Sequence, residues 1–213
     1  LFESGYLQIK LILLPVILLA LTVHEFAHAF VANLRGDGTA KAMGRMTLNP
    51  WPHIDIIGLI CIILTPFGWA KPVPINPANF KNPKRDEIYV SLAGVAANLL
   101  QALLFGLIIR FVDLTVFGGY ISIVQTMLIT SVAINCGLAV FNLIPIPPLD
   151  GSHVLKELLP YKLATKYVGL FANPTAGFIV LAGFIILLNS GLSVVLTIPI
   201  TFLVRIFSGV NIS

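Results

Sequence analysis

Three ionisable side chains stand together in residues 21–30, LTVHEFAHAF, inside a run otherwise as apolar as a membrane span. On a helix His24 and His28 lie one turn apart and project from the same face. Two imidazoles at that spacing can clasp a single Zn²⁺. The intervening Glu25 can then serve as general base toward a metal-activated water. A catalytic zinc takes three protein ligands and keeps a fourth position for water. This reading therefore requires one more ligand at membrane depth.

Residues 142–151, NLIPIPPLDG, supply it, because Asp150 is the other carboxylate that interrupts an apolar region. Pro145, Pro147 and Pro148 each lack the amide proton and clash with the preceding turn, so the span must unwind before Asp150. From there DGSHVLKELL predicts a short helix. At about 1.5 Å per residue His24 lies about 16 Å above Arg35 and Asp150 about 9 Å above Lys156, a difference that tilt and unwound chain can absorb.

Composition names the solvent. Of the 213 residues 57% are hydrophobic and 10% charged, against about 25% charged in a soluble domain. An all-α polytopic membrane protein is expected, as a single domain over 1–213. The net charge of +4 is dispersed among loops, which excludes a nucleic-acid patch. Cys61 and Cys136 sit in apolar runs and make neither a disulfide framework nor a zinc pair.

Five to six transmembrane helices are expected. Residues 7–34, 88–112, 120–144, 167–188 and 192–207 read as spans, whereas 54–67 suits a re-entrant segment better than a crossing. If 54–67 dips and returns, the basic loops after residues 34, 67 and 144 share one side, which the positive-inside rule makes cytoplasmic. The first span then runs inward and the last ends inside. The stretches GRMTLNP (44–50) and GWAKPVPINP (68–77) have no helical period. They predict a short β-like hairpin lining a water-accessible cavity.

Each polar residue also has a plainer reading. The HExxH group could be a buried His–Glu pair tying helices, though ionisable residues within a span mark function by default. Asp150 could be a helix N-cap. His53 reads as a solvated or loop-capping residue and His153 as surface-facing. Asn98, beside Ala93, Gly94 and Ala97, reads first as an interhelical hydrogen-bonding residue at a close contact, with support of the zinc site as the lesser reading. Trp51, Trp69 and Tyr89 read as interface anchors.

VHEFAHAF together with NLIPIPPLDG resembles the site-2 protease family of intramembrane zinc metalloproteases, in its compact branch without PDZ or nucleotide-sensing domains. The likeness extends through HEFAHAFVANLRGD, GRMTLNP, GWAKPVPINPANF and AGVAAN (93–98), with Val95 where the family usually carries proline. The resemblance implies one Zn²⁺ per chain held by His24, His28 and Asp150, with Glu25 as catalytic base and Asn142 near the scissile peptide. It implies transmembrane protein substrates and a multi-pass protein of the plasma membrane with its active site open to the cytoplasm. Two other classes remain open at this point: a divalent-metal transporter using the same four groups, and a non-catalytic, zinc-stabilised membrane protein. The transporter lacks the internal repeat that carriers commonly show.

Overall fold

Apolar runs bounded by proline and asparagine set the order of helices. The computed structural model describes residues 4–65, 68–187 and 193–210. Its helices are α1 (Ser4–Arg35), α2 (Thr39–Ala42), α3 (Ile56–Leu64), α4 (Pro83–Phe111), α5 (Ile121–Asn142), α6 (Asp150–Leu158), α7 (Tyr161–Leu170), α8 (Pro174–Leu187) and α9 (Val194–Ser208). Their boundaries have local causes. The Asn82 side chain accepts from the Arg85 amide ahead of α4, and Pro83 occupies the first turn, where its missing N–H is no loss. Asp55 caps α3 by accepting from the Gly58 amide at 2.8 Å.

The expected β-like hairpin is not formed. Among the described residues there is no strand, only one antiparallel bridge between Ile54 and Ala70, beside a bond from the Lys71 amide to His53 O at 2.8 Å. Pairing stops there because Pro50, Pro52, Pro72 and Pro74 have no N–H to extend a ladder. The bridge does join the two ends of the α3 segment, as a dip and return requires. Residues 66–67 of the expected 54–67 segment lie outside the described residues.

Among the described residues three stretches are long and apolar enough to cross a bilayer: Lys10–Arg35, Pro83–Phe111 and Leu114–Asn142. The last two spans expected from sequence differ from that reading. Residues 167–188 divide between α7 and α8, which meet at 82°, and residues 188 and 192 lie outside the described residues. Pro174, at the first position of α8, cannot continue the helix before it.

The direction of α9 also overturns an expectation. α1 and α4 run antiparallel, with Ala20 O accepting from Asn98 Nδ2 at 3.3 Å and Arg35 Nε 3.8 Å from Asp86 Oδ1. α9 runs parallel to α4. Val204 shares a buried cluster with Ala102, Val132 and Cys136, and Arg110 Nη2 donates to Arg205 O and Ile206 O. Between these two levels a Cβ on Gly106 would meet Phe207 O at 2.5 Å, and a Cβ on Gly209 would lie 3.5 Å from Arg110 Nε, so contacts advance together along both helices. The end of α9 therefore lies beside the end of α4, away from the basic loops, not on their side. α5 ends on the basic side and α9 departs from it, so α6, α7 and α8 make no net crossing. The α8 end nearer the motif stays close to the loop before Asp150, since a Cβ on Gly177 would lie 3.0 Å from Pro147 O.

Past α1 the chain reverses at Gly36, whose φ of 111° favours glycine and which leaves no room for a Cβ, 2.9 Å from Asn79 O. Asp37, fully buried, then binds this turn to the segment before α4. It accepts from the Thr39 amide and hydroxyl, the Asn76 amide at 2.7 Å and Asn79 Nδ2 at 2.8 Å. Burial alone would raise its pKa, but these donors outweigh burial and hold it below the ordinary 3.8. A depressed carboxyl contributes stability that is complete above the unfolded value and lost as pH falls through the folded one. Asp37→Asn should lower thermal stability at neutral pH by about 1–3 kcal/mol. Melting curves should converge with those of the wild type only as pH falls below 3.8 and through the depressed folded value.

Candidate metal centre

The HExxH turn lies on α1 where its buried face meets α4, with His24 and His28 each at most 6% exposed. His28 Nδ1 lies 2.7 Å from Val90 O. His24 Nδ1 lies 2.6 Å from Asn98 Oδ1. The Asn98 amide is oriented by its own Nδ2, which donates to Asn135 Oδ1 at 2.8 Å and to Ala20 O. A carbonyl and an amide oxygen can only accept, so both Nδ1 atoms carry the proton and both Nε2 atoms present lone pairs.

Those lone pairs converge. The two Nε2 atoms are 3.0 Å apart, and Asp150 Oδ2 lies 3.3 Å from one and 3.4 Å from the other. Asp150 Oδ2 is buried and has no hydrogen-bond partner. Three acceptors at this separation with no donor among them repel one another, and burial in low dielectric strengthens the repulsion. A cation relieves it. The nitrogen, nitrogen and carboxylate set, all within 4.8 Å, suits a metal of the zinc type and fits the ion that the motif implies.

Each neighbour has a positioning role. α4 presents Gly94 to the imidazoles, where a Cβ would lie 2.5 Å from His24 Cε1 and from His28 Nε2. Asp150 reaches the site because α5 ends at Asn142 and the proline-rich turn folds tightly back. A Cβ on Gly151 would run into Leu143 O and Ile144 O. α6 is fastened to α4 through the buried Glu87, whose Oε1 accepts from His153 Nδ1 at 3.0 Å and Lys156 Nζ at 2.6 Å. Burial would lower the Lys156 pKa, but the Glu87 and Glu157 carboxylates outweigh it and raise it.

Glu25 is buried beside this cluster, and its Oε2 accepts from the Val73 amide at 2.8 Å. Asn142, by contrast, donates through Nδ2 to Leu138 O of its own helix at 3.0 Å. Among the described residues no hydrogen bond links it to the imidazoles or to Asp150.

Asn98 is more than a helix tie, since it fixes the tautomer of His24. The available signal was its place one turn beyond Gly94 on the same face of α4. His53 is not solvated: it is 2% exposed and its Nε2 donates to Thr47 O at 2.9 Å. His153 is half-exposed as expected, yet it pairs with Glu87. Trp51 and Trp69 are exposed, while Tyr89 lies under the guanidinium of Arg35 at 4.5 Å.

Known proteins are similar to this chain in sequence. Residues 104–188 match the profile of peptidase family M50. The chain is 34% identical over 192 residues to YwhC of Bacillus subtilis, named a candidate zinc metalloprotease, covering 82% of this chain and 88% of that protein. It is 33% identical over 163 residues to Rip2 of Mycolicibacterium smegmatis, named likewise, covering 73% of this chain and 60% of that one. With the zinc metalloprotease MJ0392 of Methanocaldococcus jannaschii it shares 24% over 151 residues, 71% of this chain and 35% of the relative. No solved structure matches. A relative matched along nearly its whole length, with the M50 profile over the segment that carries Asp150, makes the chain a member of peptidase family M50, the site-2 protease family of zinc metalloproteases.

Proposed function

We propose that this chain, acting as one domain, hydrolyses peptide bonds within or beside transmembrane segments of other membrane proteins. One Zn²⁺ would be held by His24 Nε2, His28 Nε2 and Asp150 Oδ2. The observation that carries this reading is the convergence of three buried lone-pair donors beside a buried glutamate, on helices apolar enough to lie in lipid. When bound, zinc supplies Lewis acidity, polarising the scissile carbonyl and acidifying water.

The chain's own groups do the rest. Glu25 keeps one oxygen on the Val73 amide and uses the other to take the proton of the attacking water and deliver it to the departing amine. Asn98 and the Val90 carbonyl hold the imidazoles in the tautomer that exposes Nε2. Asn142 is assigned as donor to the developing oxyanion, which requires its amide to leave Leu138. A helical substrate hides its peptide bonds in its own ladder and must unwind. The chain near residues 73–76 would receive it edge to edge, with the bends at 46–48 opening toward an extended form as it binds.

The basic loops after α1, α3 and α5 support a plasma-membrane protein whose site would open toward the cytoplasm. With that orientation, the direction of α9 would carry its end outside. Alkaline phosphatase fused after Ser213 should be active and green fluorescent protein there dark; the reverse pattern would refute this orientation.

The deciding experiment joins zinc analysis of the purified protein to a cleavage assay on single-span proteins in vesicles. About one zinc per chain and cleavage abolished by chelator are expected. Full cleavage by zinc-free protein would refute the reading, and zinc transport into sealed vesicles would favour a carrier.

A further inference from the structure

Arg45 lies in GRMTLNP, is 8% exposed and has its Nε buried without a hydrogen-bond partner. No carboxylate forms an ion pair with it among the described residues. A buried, unpaired guanidinium is costly. Its Nη2 donates instead to two successive backbone carbonyls, Lys71 O at 2.7 Å and Pro72 O at 3.2 Å. The second of these belongs to the same peptide group as the Val73 N–H, and that N–H donates to Glu25 Oε2.

We propose that Arg45 is a positioning residue for Glu25, acting through the Pro72–Val73 peptide. This rests on the hydrolytic reading of the site. A trans peptide is planar and holds its oxygen and its N–H on opposite sides. A cation on the oxygen and an anion on the N–H therefore pull the same dipole in one direction, and hydrogen bonds in such a chain strengthen one another. The carboxylate is the negative charge that the guanidinium otherwise lacks, reached through one peptide.

The flanking sequence leaves few competitors. Pro72 and Pro74 have no N–H, the Lys71 amide is committed to His53 O, and the Asn76 amide to Asp37. Val73 itself is anchored by burial with Ala29 and Ala40, against Met46 and Ile75. Glu25 thus meets one fixed donor, which holds one oxygen and leaves the other for the proton that hydrolysis moves.

Hydrogen exchange on the zinc-free full chain tests the relay without relying on activity. A peptide covering residues 71–76 reports few amides, since Pro72 and Pro74 carry none. Arg45→Met should speed exchange at Val73 by about tenfold or more, with amides around His24 and Asn98 unchanged. Arg45→Lys keeps the cation but cannot grip both carbonyls as firmly, so it should show a smaller rise; it also serves as the folded variant if Arg45→Met does not fold. In the cleavage assay Arg45→Met should retain zinc and KM, lower kcat by about tenfold or more, and add little in a Glu25→Asp background. Unchanged Val73 exchange, or an undiminished kcat loss in the Glu25→Asp background, would overturn the proposal. A wild-type protein that cleaves nothing would overturn the hydrolytic reading instead, and the exchange comparison would still decide whether the relay exists.

Discussion

Glu25→Gln will leave zinc in place and remove cleavage. Glu25 is not among the converging atoms: its Oε2 is committed to the Val73 amide, whereas the acceptors that crowd together belong to His24, His28 and Asp150. Glutamine is nearly isosteric and can still accept that N–H through its amide oxygen, so the local fold should survive. What it cannot do is take a proton. General-base catalysis contributes about 10²–10⁴-fold, so kcat should fall by at least that order with zinc content unchanged. Asp150→Ala should do the opposite in sequence of events. It deletes a proposed ligand, so zinc should be lost first and activity with it, by more than the about 10–100-fold usual for outer partners of a metal ligand. Measuring zinc and turnover on both variants separates the roles. Glu25→Gln with wild-type turnover would end the assignment of the base.

Much of this site could be read from residue types because lipid makes polar groups expensive. In a soluble helix HExxH is a common surface pattern; inside an apolar run it and Asp150 have few explanations besides a shared ion. The unwinding before Asp150 was equally legible, since three prolines in four residues leave no helical alternative, and α6 begins at Asp150 as that predicts. Distance in the chain did not obscure the pairing, because the only candidates were so few.

Orientation was less legible. Hydropathy counts apolar length and says nothing of direction, so residues 167–188 read as one crossing although they hold an 82° bend. The charges that would warn against this are sparse: Arg205 near the end of α9 is a single residue, and it and Arg110 meet at the same end. The hairpin failed for the opposite reason. The two segments do meet, through Arg45 and Met46, but residues 46–48 bend and proline removes donors that would turn proximity into a ladder. Asn98 was underread because an amide between helices has an ordinary structural use, and only coordinates show which atom it faces.

Gly94→Ala should produce the largest effect from the smallest change. The added methyl carbon would sit 2.5 Å from both His24 Cε1 and His28 Nε2, and 2.7 Å from His24 Nε2. Carbon contacts are comfortable near 3.5–4.0 Å, so about 1 Å of movement is required. Neither imidazole can retreat, because each is tied through Nδ1 to Asn98 or to Val90, on the same helix that carries the new methyl. Overpacking of this kind costs about 1–3 kcal/mol, and alanine's better helix propensity returns up to about 1 kcal/mol. The bundle should therefore fold with a modest loss of melting temperature. The metal should not survive as well. Zinc–nitrogen bonds are about 2.0–2.1 Å long, so a methyl this close to both nitrogens competes for the ion's own space. Folded protein with zinc reduced at least tenfold, and cleavage reduced in proportion, is the expected result. Full zinc occupancy in Gly94→Ala would mean that the imidazoles do not face the ion from this side of α4, and the ligand assignment for His24 and His28 would have to be withdrawn.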